Sequence, residues 1–332
     1  MRPLSLLVII VLFPKVLVGQ ETDLSPYPAL KIAKETSLYR NDLNWKEICT
    51  EYIRIANSSK DEYEKYEFLL NALGDDHGTF RRADNFQIIA SYSLPVSNTR
   101  ARSSKFVNEV LNDMSARFSH KKIGDDIGYL KVVGIGPQYP MEEDAARIQN
   151  GIAELKKAGV DKWIVDLRYN GGGNMNPMLS GLSALLGNGN IGGSSDKTGI
   201  DIQNYEIRDN KFYDTENLSI DIENPVKEEI KDKVAVLLSR YTVSSGEVVA
   251  VAFKGRERTR FFGEKTKGLT TVTGFDRIDD ETYMMISKAY YRDRLNNIYT
   301  NGVEPDVKIE FKEFGNSDDD RILNESIAWL KK

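Results

Sequence analysis

The chain has 332 residues, 40% hydrophobic and 29% charged, enough to bury a sizeable core and, by length, to form about two domains. Its 45 basic and 50 acidic residues give a formal net charge of -5 and are spread along the chain without a basic stripe, which argues against nucleic acid as a partner. One cysteine allows no internal disulfide, and two isolated histidines give no metal-ligand spacing, so neither a metal nor a cofactor is expected.

Residues 1–19 read as a secretory signal: Arg2, an apolar run over 4–13, then Lys15 and the small-residue step before Gln20. A spanning helix needs about 20 apolar residues, and Lys15 interrupts this run too early. The protein is therefore expected outside the cytoplasm, periplasmic or secreted, with no stable membrane insertion after cleavage. Helical spacing over 43–56 and 60–73, broken at Asn57-Ser58-Ser59, predicts a hairpin in a small N-terminal helical domain, residues 22–90. Cys49 falls on an apolar helical position and reads as buried, not as a thiol nucleophile. The loop Asp75-Asp76-His77-Gly78 follows. A lone loop histidine is more often a satisfied polar residue than a base.

Residues 91–122 are mixed and polar, with a helix expected over 106–118, and form a linker. From 123 to 332 the pattern alternates. Strands are expected at 127–133, 163–167, 234–239 and 259–263, and helices at 143–157, 177–186 and 247–253. Such alternation predicts an α/β core around a largely parallel sheet. Further strands are expected at 283–292 and 307–311, with a closing helix at 320–331.

Two turns in this core carry chemistry. Asp166-Leu167-Arg168-Tyr169-Asn170-Gly171-Gly172-Gly173 runs from a strand through three glycines into a helix. Its amides and the helix N-terminus suit an anionic group, or the segment is simply a tight turn. The spacing fits neither a dinucleotide fingerprint nor a P-loop. In the second turn, a strand runs into Ser244-Ser245-Gly246-Glu247, placing Ser244 at the carboxyl end of the sheet before a helix. That suits a nucleophile, but Ser-x-x-Glu is also a capping box, and taken alone the cap explains Ser244 better.

The ordered set of segments resembles the tail-specific, or C-terminal processing, peptidase family (serine peptidase family 41), whose relatives include the tricorn core protease and interphotoreceptor retinoid-binding protein. Asp75-Asp76-His77 resembles the family's Asp-x-His loop, Ile127-Gly128-Tyr129-Leu130-Lys131-Val132 its core-opening strand, and Asp166 to Gly173 its Asp-Leu-Arg-x-Asn-x-Gly-Gly turn. Ser244-Ser245-Gly246-Glu247, followed by Phe262-Gly263-Glu264-Lys265-Thr266-Lys267-Gly268, resembles the nucleophile and its downstream strand. The resemblance implies a crotonase-like (ClpP/crotonase) α/β catalytic core over 123–332. It also implies Ser244 as nucleophile, an oxyanion hole from the amides of Gly171 or Gly172 and of Ser245, and peptide or protein substrates.

Two departures sharpen the expectation. The lysine that the better-known branch uses as base, directly after Thr-x-Gly, is here Leu269, which cannot take a proton. Lys267 is a fallback two positions away, displaced by about 6 to 7 Å along a strand. The tricorn-like branch takes a histidine from the preceding domain, which makes His77 the expected general base, oriented by Asp76, Asn301 or Glu304. The other departure is the PDZ domain of the processing members: only about 30 residues fill that gap, fewer than a domain needs. The alternative to a serine endopeptidase is a non-catalytic peptide- or lipid-binding protein on the same scaffold.

Overall fold

A computed structural model describes residues 22–93, 117–136, 139–223, 226–312 and 320–332. The expected signal, residues 1–19, and most of the expected helix at 106–118 lie outside these.

The N-terminal segment forms α1 (Pro28–Thr36), α2 (Trp45–Ser58) and α3 (Glu64–Leu73). Their apolar faces bury Leu30, Ala33, Tyr52, Leu69 and Leu70 in one cluster. Cys49 is buried there too. Gly74 ends α3 in the left-handed region at φ 66°, where its amide reaches back to the carbonyls of Asn71 and Leu70. The chain then enters β1 (Thr79–Arg82) and β2 (Ile88–Ser91).

The central sheet is built from β3 (Phe118–Ile123), β4 (Ile127–Val132) and, after the long α4 (Met141–Lys157), β5 (Lys162–Asp166). The strand β3 starts before residue 123, so the core takes in the end of the segment read as a linker and Phe118 is extended, not helical. The helix α4 has three acidic residues in its first turn and Lys156 and Lys157 in its last, each complementing the helix dipole. Its Ile148, Ile152 and Leu155 recur at helical spacing and are buried against the sheet.

Next come α5 (Met175–Gly181), α6 (Ser183–Leu186) and four strands, β6 (Gly189–Ser195), β7 (Asp201–Arg208), β8 (Lys211–Asp214) and β9 (Asn217–Leu218). The helix expected at 177–186 is thus divided at Leu182. The chain returns to the central sheet with β10 (Lys233–Leu238), α7 (Ser245–Phe253) and β11 (Thr259–Gly263). It closes with β12 (Thr271–Thr273), β13 (Asp276–Arg277), β14 (Thr282–Met285), β15 (Ser287–Arg292), β16 (Ile298–Tyr299), β17 (Val307–Lys308) and α8 (Arg321–Leu330).

The central sheet has the order β17-β11-β10-β5-β4-β3, parallel except for the antiparallel edge pair β3/β4. Alternation along its inner strands explains why both faces are covered. Val234, Val236 and Leu238 point into the larger core with Trp163 and Val165, whereas Ala235, Leu237 and Ile164 pack on the other face with Ile322 and Leu330 of α8. Each such fully buried aliphatic side chain contributes about 1.5–3 kcal/mol. A second sheet, β12-β15-β6-β7-β8-β9 with β16 on β15, is antiparallel.

The third sheet, β13-β14-β1-β2, joins the two ends of the chain. Phe80 of β1 pairs with Met284 of β14, and Met284 and Ile286 are buried in the same cluster as α1–α3. The stretch 283–292, expected as one strand, is therefore two: β14 completes the N-terminal unit, and after Ile286 the chain passes as β15 into the seven-stranded sheet. The architecture is mixed α/β.

Candidate active site

The Gly-rich turn after β5 is anchored from below. Burial alone would raise the Asp166 carboxyl, but Arg168 beside it and the Tyr129 hydroxyl at 2.6 Å outweigh that and hold it below the usual carboxylate range. Arg168 reaches Asp166 at 2.6 Å and forks onto both oxygens of Asp320 at 2.8 Å. The Asp-Leu-Arg part of the segment is thus a structural clamp tying β4, β5 and the start of α8 together.

Above the clamp, the two chemistry-bearing turns lock into each other. The Asn170 carbonyl accepts the Val243 amide at 2.9 Å, and Ser245 Oγ donates to the Gly173 carbonyl at 2.6 Å. A Cβ on Gly172, whose φ is 93°, would lie 2.9 Å from the Val243 carbonyl oxygen and 3.0 Å from Ser244 Cβ. A Cβ on Gly246 would lie 2.6 Å from the Asn170 carbonyl oxygen. Glycine is required at both because two backbones meet there.

Ser244 stands at the N-terminus of α7 with φ 51° and ψ -118°, a sparsely populated conformation for a residue with a side chain. The surroundings hold it there. Its amide donates to Glu247 Oε2 at 2.8 Å, and the buried Glu247 also accepts from Thr266 Oγ1 at 2.5 Å and the Gly268 amide at 2.8 Å. The capping-box pairing of Ser244 with Glu247 is present. It does not exclude the other reading of Ser244, since Ser244 Oγ also lies 3.0 Å from His77 Nε2.

His77 comes from the loop between α3 and β1. The structure brings it to Ser244, and burial pushes its pKa down to about 4, offset in part by hydrogen bonding to the Thr271 backbone. Its other ring nitrogen, Nδ1, lies 2.8 Å from Thr271 Oγ1 at the start of β12. Thr271 Oγ1 is 2.8 Å from Ser287 Oγ, the first residue of β15, and Ser287 Oγ donates to Asp75 Oδ1 at 2.7 Å. Asp75 is fully buried.

The residues expected to orient His77 are elsewhere. Asp76 has no hydrogen bond to the ring among the described residues; its residue is exposed, and its carboxyl is raised by partial burial and drawn back by Lys267. Asn301 packs beside Gly268, and Glu304 pairs at the surface with Lys308 at 3.1 Å and with Lys265 at 3.8 Å. Thr271 occupies the position assigned to them. No sequence motif marks Thr271, because its partnership with His77 spans 194 residues. Lys267 makes no hydrogen bond to Ser244 or His77 among the described residues; its backbone amide bonds the Thr242 carbonyl at 3.0 Å.

Of the amides expected to face an oxyanion, that of Gly172 is already taken by Asn170 Oδ1 at 3.0 Å. The amides of Gly171 and Ser245 donate to no described group. Ser245 is the first residue of α7, where an amide has no acceptor within the helix. Among the described residues no group of three or more His, Cys, Asp or Glu could hold a metal ion.

Residues 126–309, more than half of the chain, match the family model described as Peptidase family S41. Over 184 residues the chain is 31% identical to the nisin-resistance protein of Lactococcus lactis subsp. lactis, covering 54% of this chain and 52% of that protein. Over 166 residues it is 30% identical to the chloroplastic C-terminal processing peptidase of Tetradesmus obliquus, covering 50% of this chain and 32% of that one. The chain thus spans about half or less of the length of these curated relatives. A solved structure of a lipoprotein from Streptococcus agalactiae shares the fold, with a TM-score of 0.67, 21% identity, and coverage of 98% of this chain and 99% of that one. With the matched residues containing the Gly-rich turn, Ser244, Thr271 and Ser287, the chain belongs to peptidase family S41.

Proposed function

We propose that the protein is a serine-type peptidase that hydrolyses peptide bonds through an acyl-enzyme, with Ser244 as nucleophile and His77 as general base, on a crotonase-like core. The observation that carries this reading is the 3.0 Å separation of Ser244 Oγ and His77 Nε2 at the head of α7. A base within hydrogen-bond reach, beside a serine held at a helix N-terminus, is the arrangement nucleophilic catalysis needs. Family membership supports it, as does a relative named for C-terminal processing.

In the acylation step His77 Nε2 takes the Ser244 hydroxyl proton as Oγ bonds to the scissile carbonyl carbon. The oxygen of the tetrahedral intermediate, now negative, is received by the amides of Gly171 and Ser245, each such donor contributing about 3 kcal/mol. His77 then passes its proton to the leaving nitrogen as the C–N bond breaks. Water repeats the cycle on the ester, returning its proton through His77 and freeing Ser244. A pKa near 4 makes His77 a weaker base than an exposed imidazole, but keeps it unprotonated and ready across the neutral range.

The rival reading, a non-catalytic peptide- or lipid-binding protein, rested on the missing lysine after Gly268. A histidine in contact with the serine answers that need by another route. We place the protein outside the cytoplasm, on the strength of residues 1–19; among the described residues no helix is long and apolar enough to cross a membrane.

A serine-reactive fluorophosphonate and a peptide-library cleavage assay test the proposal together. Wild type should be labelled and should cleave, and Ser244→Ala and His77→Ala should do neither. Cleavage that survives in His77→Ala would return the base to Lys267, and a wild type that binds peptides without cleaving or labelling would leave the binding protein.

A further inference from the structure

We infer that Asp75 is the positioning residue that fixes the tautomer of His77, acting through the hydroxyls of Ser287 and Thr271. This rests on the proposed roles of Ser244 and His77, and concerns how the base is kept ready.

Asp75 Oδ2 accepts the Ser287 amide at 2.7 Å, and Oδ1 accepts the His77 amide at 3.2 Å, so both oxygens are held as acceptors by backbone donors that cannot reverse. The Ser287 hydroxyl, 2.7 Å from Oδ1, must therefore donate to the carboxylate. Having spent its proton there, Ser287 Oγ is an acceptor toward Thr271 Oγ1 at 2.8 Å, and Thr271 donates. Thr271 Oγ1 in turn is an acceptor toward His77 Nδ1 at 2.8 Å, so the ring proton sits on Nδ1. That leaves Nε2 bare, facing Ser244 Oγ, the state a general base needs.

Hydroxyls can point either way, and imidazole has two neutral tautomers, so without a fixed end the row could run in reverse. In the reversed row Thr271 donates to Nδ1, Nε2 carries the proton, and Ser244 faces a donor that cannot accept its proton. The ionised carboxylate, which only accepts, removes that choice from two hydroxyls away, acting in the same sense as the Thr271 backbone that also hydrogen-bonds the ring. Asp75 is fully buried, with Asp76 and Tyr39 among the titratable groups that feel its charge; its carboxyl is raised by that burial and drawn back by the Ser287 and His77 donors.

The decisive variant is Asp75→Asn. With its carbonyl oxygen kept on the Ser287 amide, its NH2 takes the place of Oδ1, gives up the His77 amide and donates to Ser287 Oγ, which reverses the row. With only two histidines in the chain, ¹⁵N-histidine labelling reads the tautomer directly, and His120→Gln assigns the remaining signals to His77. Expected are Nδ1–H in wild type and Nε2–H in Asp75→Asn near pH 7.5, with kcat lower by on the order of 10²- to 10⁴-fold and KM little changed. Thr271→Ser, which retains the hydroxyl, should keep the Nδ1–H state, whereas Thr271→Val and Ser287→Ala should lose the preference.

An Asp75→Asn protein that keeps Nδ1–H and full kcat overturns the inference. So does a Thr271→Val protein that behaves as wild type, which would leave the Thr271 backbone as the sole guide of the ring. If Asp75→Asn fails to fold, the Thr271→Ser, Thr271→Val and Ser287→Ala comparison decides. The tautomer is read without turnover. Failure of the peptidase reading would appear as activity indifferent to His77→Ala, whatever the ring's protonation.

Discussion

His77 Nε2 and Ser244 Oγ lie 3.0 Å apart although 167 residues separate them in the chain. The first prediction concerns this pair and its fallback. Ser244→Ala and His77→Ala should each lower kcat by on the order of 10⁴-fold or more, and the double variant should lose little further, because the two act as a unit. Lys267→Ala should stay within about tenfold of wild type. Steady-state kinetics on a cleaved peptide check all four.

The pH profile should differ from that of an ordinary histidine. The proposed base must be unprotonated to act, and burial lowers the His77 pKa from 6.5 to about 4. The acid limb of kcat/KM should therefore fall near pH 4, not near 6.5, with activity level between them. Stability follows the same window. In the unfolded chain the histidine takes a proton first, so stability is lost as pH falls from 6.5 toward 4, and His77→Ala should remove that part of the slope. Denaturant melts at pH 7 and pH 5 measure it.

Gly172→Ala should fold and fail. The added methyl would meet the Val243 carbonyl oxygen at 2.9 Å and Ser244 Cβ at 3.0 Å, at a φ that favours glycine. Overpacking of this kind costs about 1–3 kcal/mol and moves the nucleophile. A fall in Tm of a few degrees with a much larger proportional loss of kcat, on the order of 10²-fold, is the expected pattern. A loss confined to Tm would show that Ser244 had not moved.

Arg168→Ala addresses the clamp beneath the turn. Removing the guanidinium leaves the buried Asp166 without the partner that holds its carboxyl down, and breaking such a pair costs about 3–5 kcal/mol. Urea unfolding should show a matching drop. The partner Asp320 is more exposed, so Asp320→Ala should cost less.

What could be read from sequence followed from how strongly the fold constrains neighbouring residues. The strands 162–166 and 233–238 are buried on both faces and announce themselves as apolar runs. The strand 189–195, with the sequence Gly-Asn-Ile-Gly-Gly-Ser-Ser, is just as buried but has one large apolar residue and no alternation, so the antiparallel sheet around it had no local signature. At the site, Ser244 and Glu247 were legible as a pair because the capping pattern joins residues three apart. Thr271 and Ser287 were not, being hydroxyls whose meaning comes only from partners across the fold. Within Asp75-Asp76-His77, adjacency favoured Asp76, yet the turn after Gly74 sends Asp75 inward and leaves Asp76 exposed.

The sheet that joins β1 and β2 to β13 and β14 sets a timetable for the proposed site. His77 is made early, but the strand that follows it pairs through Phe80 with Met284, and the hydroxyl that answers Asp75 arrives 212 residues after it. Contacts of such separation close late. A nascent chain that has passed Ser244 already holds both residues of the proposed pair, yet lacks the hydroxyl that meets Asp75 until Ser287 has emerged and β14 has docked. On the proposed reading, the pair works only in the finished fold and not in the growing chain.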